Sequence, residues 1–199
     1  MTGRADRQGG LDRRAVVAAL LADRGDLLVV SGLGSTTWDV AAAGDHPRNF
    51  YLWGAMGGAA MIGLGLALAR PKEPVVVITG DGEQLMGLGG LATIGVHNPA
   101  NLAVVVIDNR RYGETGMQLT HTAHGVDLPA IATAAGFRWA EAVNDMAGVR
   151  DLAKRIKSQE GAGFASLQVS TVDHDRVLPP RDGVYLKTRL REALGLHLE

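Results

Sequence analysis

Val75-Val76-Val77-Ile78-Thr79-Gly80-Asp81-Gly82 begins as an unbroken, mostly β-branched run and closes on an acid between two glycines. Such a run without polar alternation is expected of a strand buried on both faces. Leu102 to Ile107 repeats the pattern and ends in Asp108-Asn109. Between the two runs, Glu83 to Gly95 has helical length, so strand, helix and strand predict a right-handed βαβ unit with parallel strands.

Outward from this unit the alternation continues. Leu11 to Arg24 carries apolar residues at helical spacing, with Asp12 in the first turn and Gly25 after the end, and Leu27 to Ser31 reads as a strand. Ser31-Gly32-Leu33-Gly34-Ser35 is a turn cluster, Thr36 to Ala43 a short helix, and Met56 to Arg70 a longer helix expected to be buried. Downstream we expect helices at Leu128 to Ala135, Asp145 to Lys157 and Arg181 to Leu194, with strands at Phe137 to Ala140 and Phe164 to Ser170. The sum is an α/β class chain: a doubly wound, mostly parallel sheet with helices on both faces. Residues 11–199 are expected to form one domain after a flexible start at 1–10.

Composition narrows the function. Twenty basic and 21 acidic residues give a net charge of -1, so no global field favours nucleic acid or an anionic membrane. Trp38, Trp53 and Trp139 are too scattered for a base-stacking platform. The apolar run Met56 to Ala69 falls short of the ~20 residues a membrane helix needs. With no cysteine there is no disulfide, thiolate zinc site or iron-sulfur cluster, which fits a reducing cytoplasm. Gly63-Leu64-Gly65 lacks both the preceding strand and the third glycine of a dinucleotide fingerprint, and His121 and His124 sit outside any helical pattern that would suit zinc.

The chemistry concentrates at the two strand ends. In open α/β sheets ligands bind at the carboxyl edge. There the glycines allow close backbone approach, and the following helix offers free N–H groups to an anion. Asp81 and Asn109 add hard oxygen donors of the kind Mg²⁺ takes, with phosphate and water completing its octahedron. The pair therefore predicts a metal-diphosphate site.

Gly80-Asp81-Gly82 followed by Asp108-Asn109 resembles the cofactor signature of thiamine-diphosphate enzymes, with Asp108 where the family commonly has a first Asn. The similarity extends through Asn49-Phe50-Tyr51, Gly54-Ala55-Met56-Gly57, Thr115-Gly116-Met117-Gln118 and Asp127-Leu128-Pro129-Ala130. It lies nearest the separate small subunit of sulfopyruvate and phosphonopyruvate decarboxylases. The resemblance implies thiamine diphosphate and Mg²⁺ as cofactors. It implies that Asp81, Asn109 and the main-chain carbonyl of Arg111 hold the metal, while Gly82 and Glu83 meet the diphosphate through N–H groups. Gly54 would accept from the aminopyrimidine and Met56 would wedge between the two rings. Ser31, Gly32, Gly34, Ser35, Gly80, Tyr112 and Gly113 are the remaining expected cofactor contacts.

The same resemblance implies an activating Glu on a separate pyrimidine-binding domain. The chain is read as too short to contain that domain as well, so an α-type partner subunit is expected, in a hetero-oligomer inactive without it. Glu114, Thr115 and Gln118 are the expected catalytic groups of the loop after Asn109. His121 or His124 could shuttle a proton near neutral pH, and Arg110 or Arg111 could pair with an anionic substrate. The implied activity is decarboxylation of a small 2-oxoacid. A carboligase of the acetolactate-synthase type and a non-catalytic cofactor-binding scaffold remain as alternatives.

Overall fold

The computed structural model describes residues 10–196. The six-stranded sheet consists of β1 (Leu28–Ser31), β2 (Asn49–Tyr51), β3 (Val75–Gly80), β4 (Leu102–Asp108), β7 (Trp139–Val143) and β8 (Gly163–Gln168) in the order β2-β1-β3-β4-β8-β7. Every pairing in it is parallel, so the expected "mostly parallel" sheet is parallel throughout. Strand order reverses between β1 and β3, which makes the crevice above these two strands the topological switch point.

Alternate residues of each strand serve opposite faces, as a period of two requires. Val29, Val76, Ile78, Val105 and Leu167 meet α1 (Arg13–Leu21), α2 (Ser35–Ala42) and α7 (Met146–Ser158) on one face. Leu28, Val77, Val104, Val106 and Phe164 meet α3 (Ala59–Ala69), α5 (Gly89–His97) and α6 (Leu128–Ala134) on the other. Helix α8 (Gly183–Ala193) runs beside the β2 edge, where Arg189 donates to Asn49 O at 3.2 Å and pairs with Asp45 at 2.7 Å. An otherwise open strand edge is thereby covered.

Several elements depart from the sequence reading. The single helix expected over Glu83 to Gly95 is two, α4 (Asp81–Met86) and α5, broken at Gly87. A methyl group on Gly87 would lie 2.2 Å from Gly57 O, so the chain bends where two backbones touch. The helix expected from Met56 begins only at Ala59, because Ala55 (φ 55°) and Gly57 (φ 94°) adopt left-handed conformations. It is also not wholly buried, since Met61 and Leu68 remain 40% and 48% exposed. Strand β7 starts two residues after the expected Phe137, whose ring instead packs edge-on against Phe164. The short β2, and a small antiparallel hairpin of β5 (Arg111–Tyr112) and β6 (Gln118–Leu119), had no expectation at all. Of the start expected to be flexible, residues 1–9 lie outside the described residues, while Gly10 rests against the backbone of Val169 and Ser170.

Gly95 shows which of two effects decides. Alanine is favoured over glycine in a helix by about 1 kcal/mol, but here its methyl would sit 1.7 Å from the Ala135 carbonyl oxygen. Gly95→Ala should therefore destabilise the protein by about 1–3 kcal/mol through overpacking. Urea melts followed by circular dichroism would read this as a lower midpoint, and a raised midpoint would contradict it.

Candidate active site at the carboxyl edge of the sheet

The register Gly80↔Ile107 brings the ends of β3 and β4 level. Asp81, the first residue of α4, is 2% exposed. Its Oδ2 accepts from Thr120 Oγ1 at 2.5 Å and lies 3.3 Å from Thr122 Oγ1. Thr122 also donates to Asp108 Oδ1 at 2.9 Å, so one short Thr-x-Thr segment braces both acids. These partners are neutral hydroxyls. Burial pushes the Asp81 carboxyl well above the usual carboxylate range, and the neighbouring Asp108 charge adds to the rise.

Asn109 is half-buried, and its Oδ1 accepts from the Arg111 N–H at 2.9 Å, which fixes the side-chain oxygen toward the loop. Among the described residues no three His, Cys, Asp or Glu side chains gather as a metal cage. The available donors are thus a buried carboxylate, an amide oxygen and main-chain carbonyls, which suits a hard cation completed by phosphate and water. A Cβ at Gly80 or Gly54 would meet no atom within 4 Å. Backbone at both positions is open to a ligand.

Three further segments surround this point. In the β1–α2 turn, Gly34 takes φ 70° and Gly32 lies against the Glu83 carboxylate. Ser31 is fully buried, with its hydroxyl 2.9 Å from Thr37 Oγ1, so that hydroxyl faces α2. Ser35 opens α2, and its carbonyl accepts from Arg13, which also makes a buried ion pair with Asp39 at 2.5 Å. The second segment is the exposed turn Gly54-Ala55-Met56, where Met56 is 46% exposed. The third is the β5–β6 hairpin. Its Tyr112 ring lies over Gly82, where a methyl would approach to 2.6 Å, and its Glu114 side chain reaches Gly34, where the separation would be 3.1 Å.

Glu83, expected to act through its N–H, also has a closely held side chain. Its carboxylate is buried and accepts from Leu33 N at 2.8 Å and Gly57 N at 3.3 Å. Burial raises its carboxyl above the ordinary value, and the N–H donors oppose the rise.

The expected catalytic residues Glu114, Thr115 and Gln118, with the expected cofactor contact Gly113, are exposed at the hairpin end, where Thr115 Oγ1 and Gln118 Oε1 are 3.0 Å apart. His121 and His124 are exposed on a 3-10 turn. The hydroxyls beside His121, those of Thr120 and Thr122, are what reach Asp81. Neither threonine is among the residues that the sequence marks for the site. Their alternation, with a histidine between them, was the available signal: both hydroxyls lie on one side of the segment.

Residues 32–169 match the family described as thiamine pyrophosphate enzyme, C-terminal TPP binding domain. The chain belongs to this family, whose cofactor is thiamine pyrophosphate, the diphosphate named above. It is 40% identical over 158 residues to phosphonopyruvate decarboxylase of Streptomyces viridochromogenes, covering 79% of this chain and 39% of that protein. It is 41% identical over 150 residues to sulfopyruvate decarboxylase subunit beta of Methanothermobacter thermautotrophicus, covering 75% of this chain and 77% of that subunit. The chain thus spans well under half of the phosphonopyruvate decarboxylase and most of the beta subunit. The crystal structure of benzoylformate decarboxylase from Polynucleobacter necessarius shares the fold, with a TM-score of 0.73 at 19% identity over 89% of this chain and 36% of that one.

The buried Asp81 carries a consequence for stability. A carboxyl that binds its proton more tightly when folded costs the fold nothing below the ordinary aspartate value of about 3.9. The cost grows as pH rises above that value and is complete once pH passes the folded one. Metal-free Asp81→Asn should therefore melt higher than the wild type at neutral pH, by ~2–4 °C for each kcal/mol relieved. The gap should narrow toward pH 4. Melting in chelator across this range tests it, and a variant that melts lower at pH 7 would refute it.

Proposed function

We propose that this chain is the β-type subunit of a two-chain 2-oxoacid decarboxylase, a lyase dependent on thiamine diphosphate and Mg²⁺. The observation that carries the reading is the buried Asp81 carboxylate at the β3 end, braced by neutral hydroxyls beside Asn109. A divalent cation supplies the charge this arrangement lacks. In this reading residues 11–199 act as one diphosphate-binding domain in a reducing cytoplasm.

Asp81, Asn109 and the Arg111 carbonyl would hold the metal. The N–H groups of Gly82 and Glu83, with the turn Gly32 to Ser35, would receive the diphosphate. Gly54 and Met56 would receive the pyrimidine and the ring junction, and the open backbone at Gly54 and Gly80 leaves space for both. Tyr112 and Gly113 close the site from the hairpin, with the Tyr112 ring shielding Gly82 from water. When bound, the cofactor supplies the sink for the electron pair released as CO₂ departs.

This chain's part is then to bind, orient and exchange protons. Glu114, Thr115 and Gln118 lie on the loop that faces the site, and His121 is the candidate carrier for the proton that replaces CO₂. The substrate class, a 2-oxoacid with an anionic tail, is supported by relatives named for sulfopyruvate and phosphonopyruvate. The partner, an α-type subunit carrying the pyrimidine-binding domain and its activating Glu, is supported by the beta-subunit name of relatives matched over most of their length.

Co-expression with such a partner, with cofactor and Mg²⁺ added, should release CO₂ from sulfopyruvate or phosphonopyruvate, and neither chain should do so alone. Asp81→Ala should cut turnover by roughly 100-fold or more, as loss of one preorganised electrostatic group does, and should weaken cofactor binding. A complex that binds cofactor but decarboxylates no 2-oxoacid would defeat the reading.

A further inference from the structure

Three cofactor-facing segments meet at one side chain. Glu83 stands on α4 two residues after Asp81, and its carboxylate reaches away from that acid into the gap between the β1–α2 turn and the Gly54 to Gly57 turn. Oε2 accepts from Leu33 N, the residue between Gly32 and Gly34, at 2.8 Å. Oε1 accepts from Gly57 N, the residue after Met56, at 3.3 Å. The fit depends on glycine on both sides. A methyl at Gly32 would lie 1.9 Å from Oε2, and Gly57 takes φ 94° against the backbone of Gly87.

We propose that Glu83 is a positioning residue: one rigid carboxylate sets the spacing between the turn that receives the diphosphate and the turn that receives the pyrimidine half. The proposal rests on the cofactor reading above. A planar carboxylate fixes the separation of its two oxygens, so two backbone N–H groups bound to it are held in one geometry. Both bonds are part-buried, and a shielded donor left without an acceptor is costly, so the two turns stay tied to Glu83. The tie matters to a ligand that touches both turns and little to one that touches a single turn.

Glu83→Gln separates these cases. The amide keeps one acceptor, which the shorter Leu33 contact retains, and turns its NH₂ against the Gly57 N–H. The diphosphate turn stays in place and the pyrimidine turn is released. Binding is measured by calorimetry on the full-length chain, with any subunit that co-purifies, using thiamine diphosphate and inorganic pyrophosphate as probes, each with Mg²⁺. Thiamine diphosphate should bind roughly tenfold more weakly, the scale of one charge-assisted hydrogen bond. Pyrophosphate should change by less than about twofold, a difference that a general loss of stability would not produce. Equal weakening of both probes, or of neither, overturns the proposal. If Glu83→Gln does not fold, Glu83→Asp, one methylene shorter and unable to span both turns, gives the same comparison. Asp81→Ala in the same assay identifies the other failure. If it binds thiamine diphosphate as tightly as wild type, or if wild type binds neither probe, the cofactor reading falls and the Glu83 proposal falls with it.

Discussion

A carboxylate buried at the end of a parallel strand, with hydroxyls and its own backbone N–H but no cation for partners, is the constraint on which this site depends. Asp81 is almost wholly shielded from water, and the charge that acts on it is that of another acid, Asp108. Left alone, such a group favours protonation, so the native arrangement is poised to lower its energy by taking up a cation. Thr120 keeps Oδ2 in place while that charge is uncompensated, and Thr122 holds Asp108 beside it. The cost in stability is a familiar one at functional positions, where folding alone would choose a neutral side chain.

The sheet exists in the form needed to present that group. Parallel strands put all their carboxyl ends on one edge, and the order reversal between β1 and β3 opens the crevice there. Pieces distant in sequence then close over it. The hairpin after Asn109 folds back so that Tyr112 covers Gly82 and Glu114 meets Gly34. Behind the crevice, the buried Arg13–Asp39 pair and the Arg13 contact to Ser35 O hold the start of α2 against α1. The turn beneath the expected diphosphate is therefore backed by a fixed ionic contact, and the exposed loop opposite it carries the residues proposed to move protons.

Much of this was legible from residues alone, because the decisive signals were long or doubled. Val75 to Thr79 and Leu102 to Ile107 are continuous apolar runs, and their polar ends mark one sheet edge. Asn49 to Tyr51 gave no such signal: it is a short edge strand whose polar Asn49 is buried. The break between α4 and α5 was invisible because it is imposed by Gly57, far away in sequence. Asp81 and Asn109 stood out by type and position. Thr120 and Thr122 did not, since a hydroxyl's importance lies in which acid it faces, and that is fixed only when the hairpin folds back. The Glu83 carboxylate was hidden for the same reason: its acceptors' partners lie on two remote turns.

The contact between Gly57 and Gly87 has an implication for how this sequence can drift. The two turns approach so closely that a methyl on Gly87 would lie 2.2 Å from Gly57 O, while one on Gly57, already at φ 94°, would lie 3.0 Å from Gly87 N. A substitution at one glycine is not rescued by any change of side chain at its partner, because neither has a side chain to give up. The only escape is a coordinated shift of both turns, and one of them is tethered to Glu83. Single substitutions at this pair are costly, so variation around the site is expected to enter more readily at the open backbone of Gly54 or the exposed end of the hairpin.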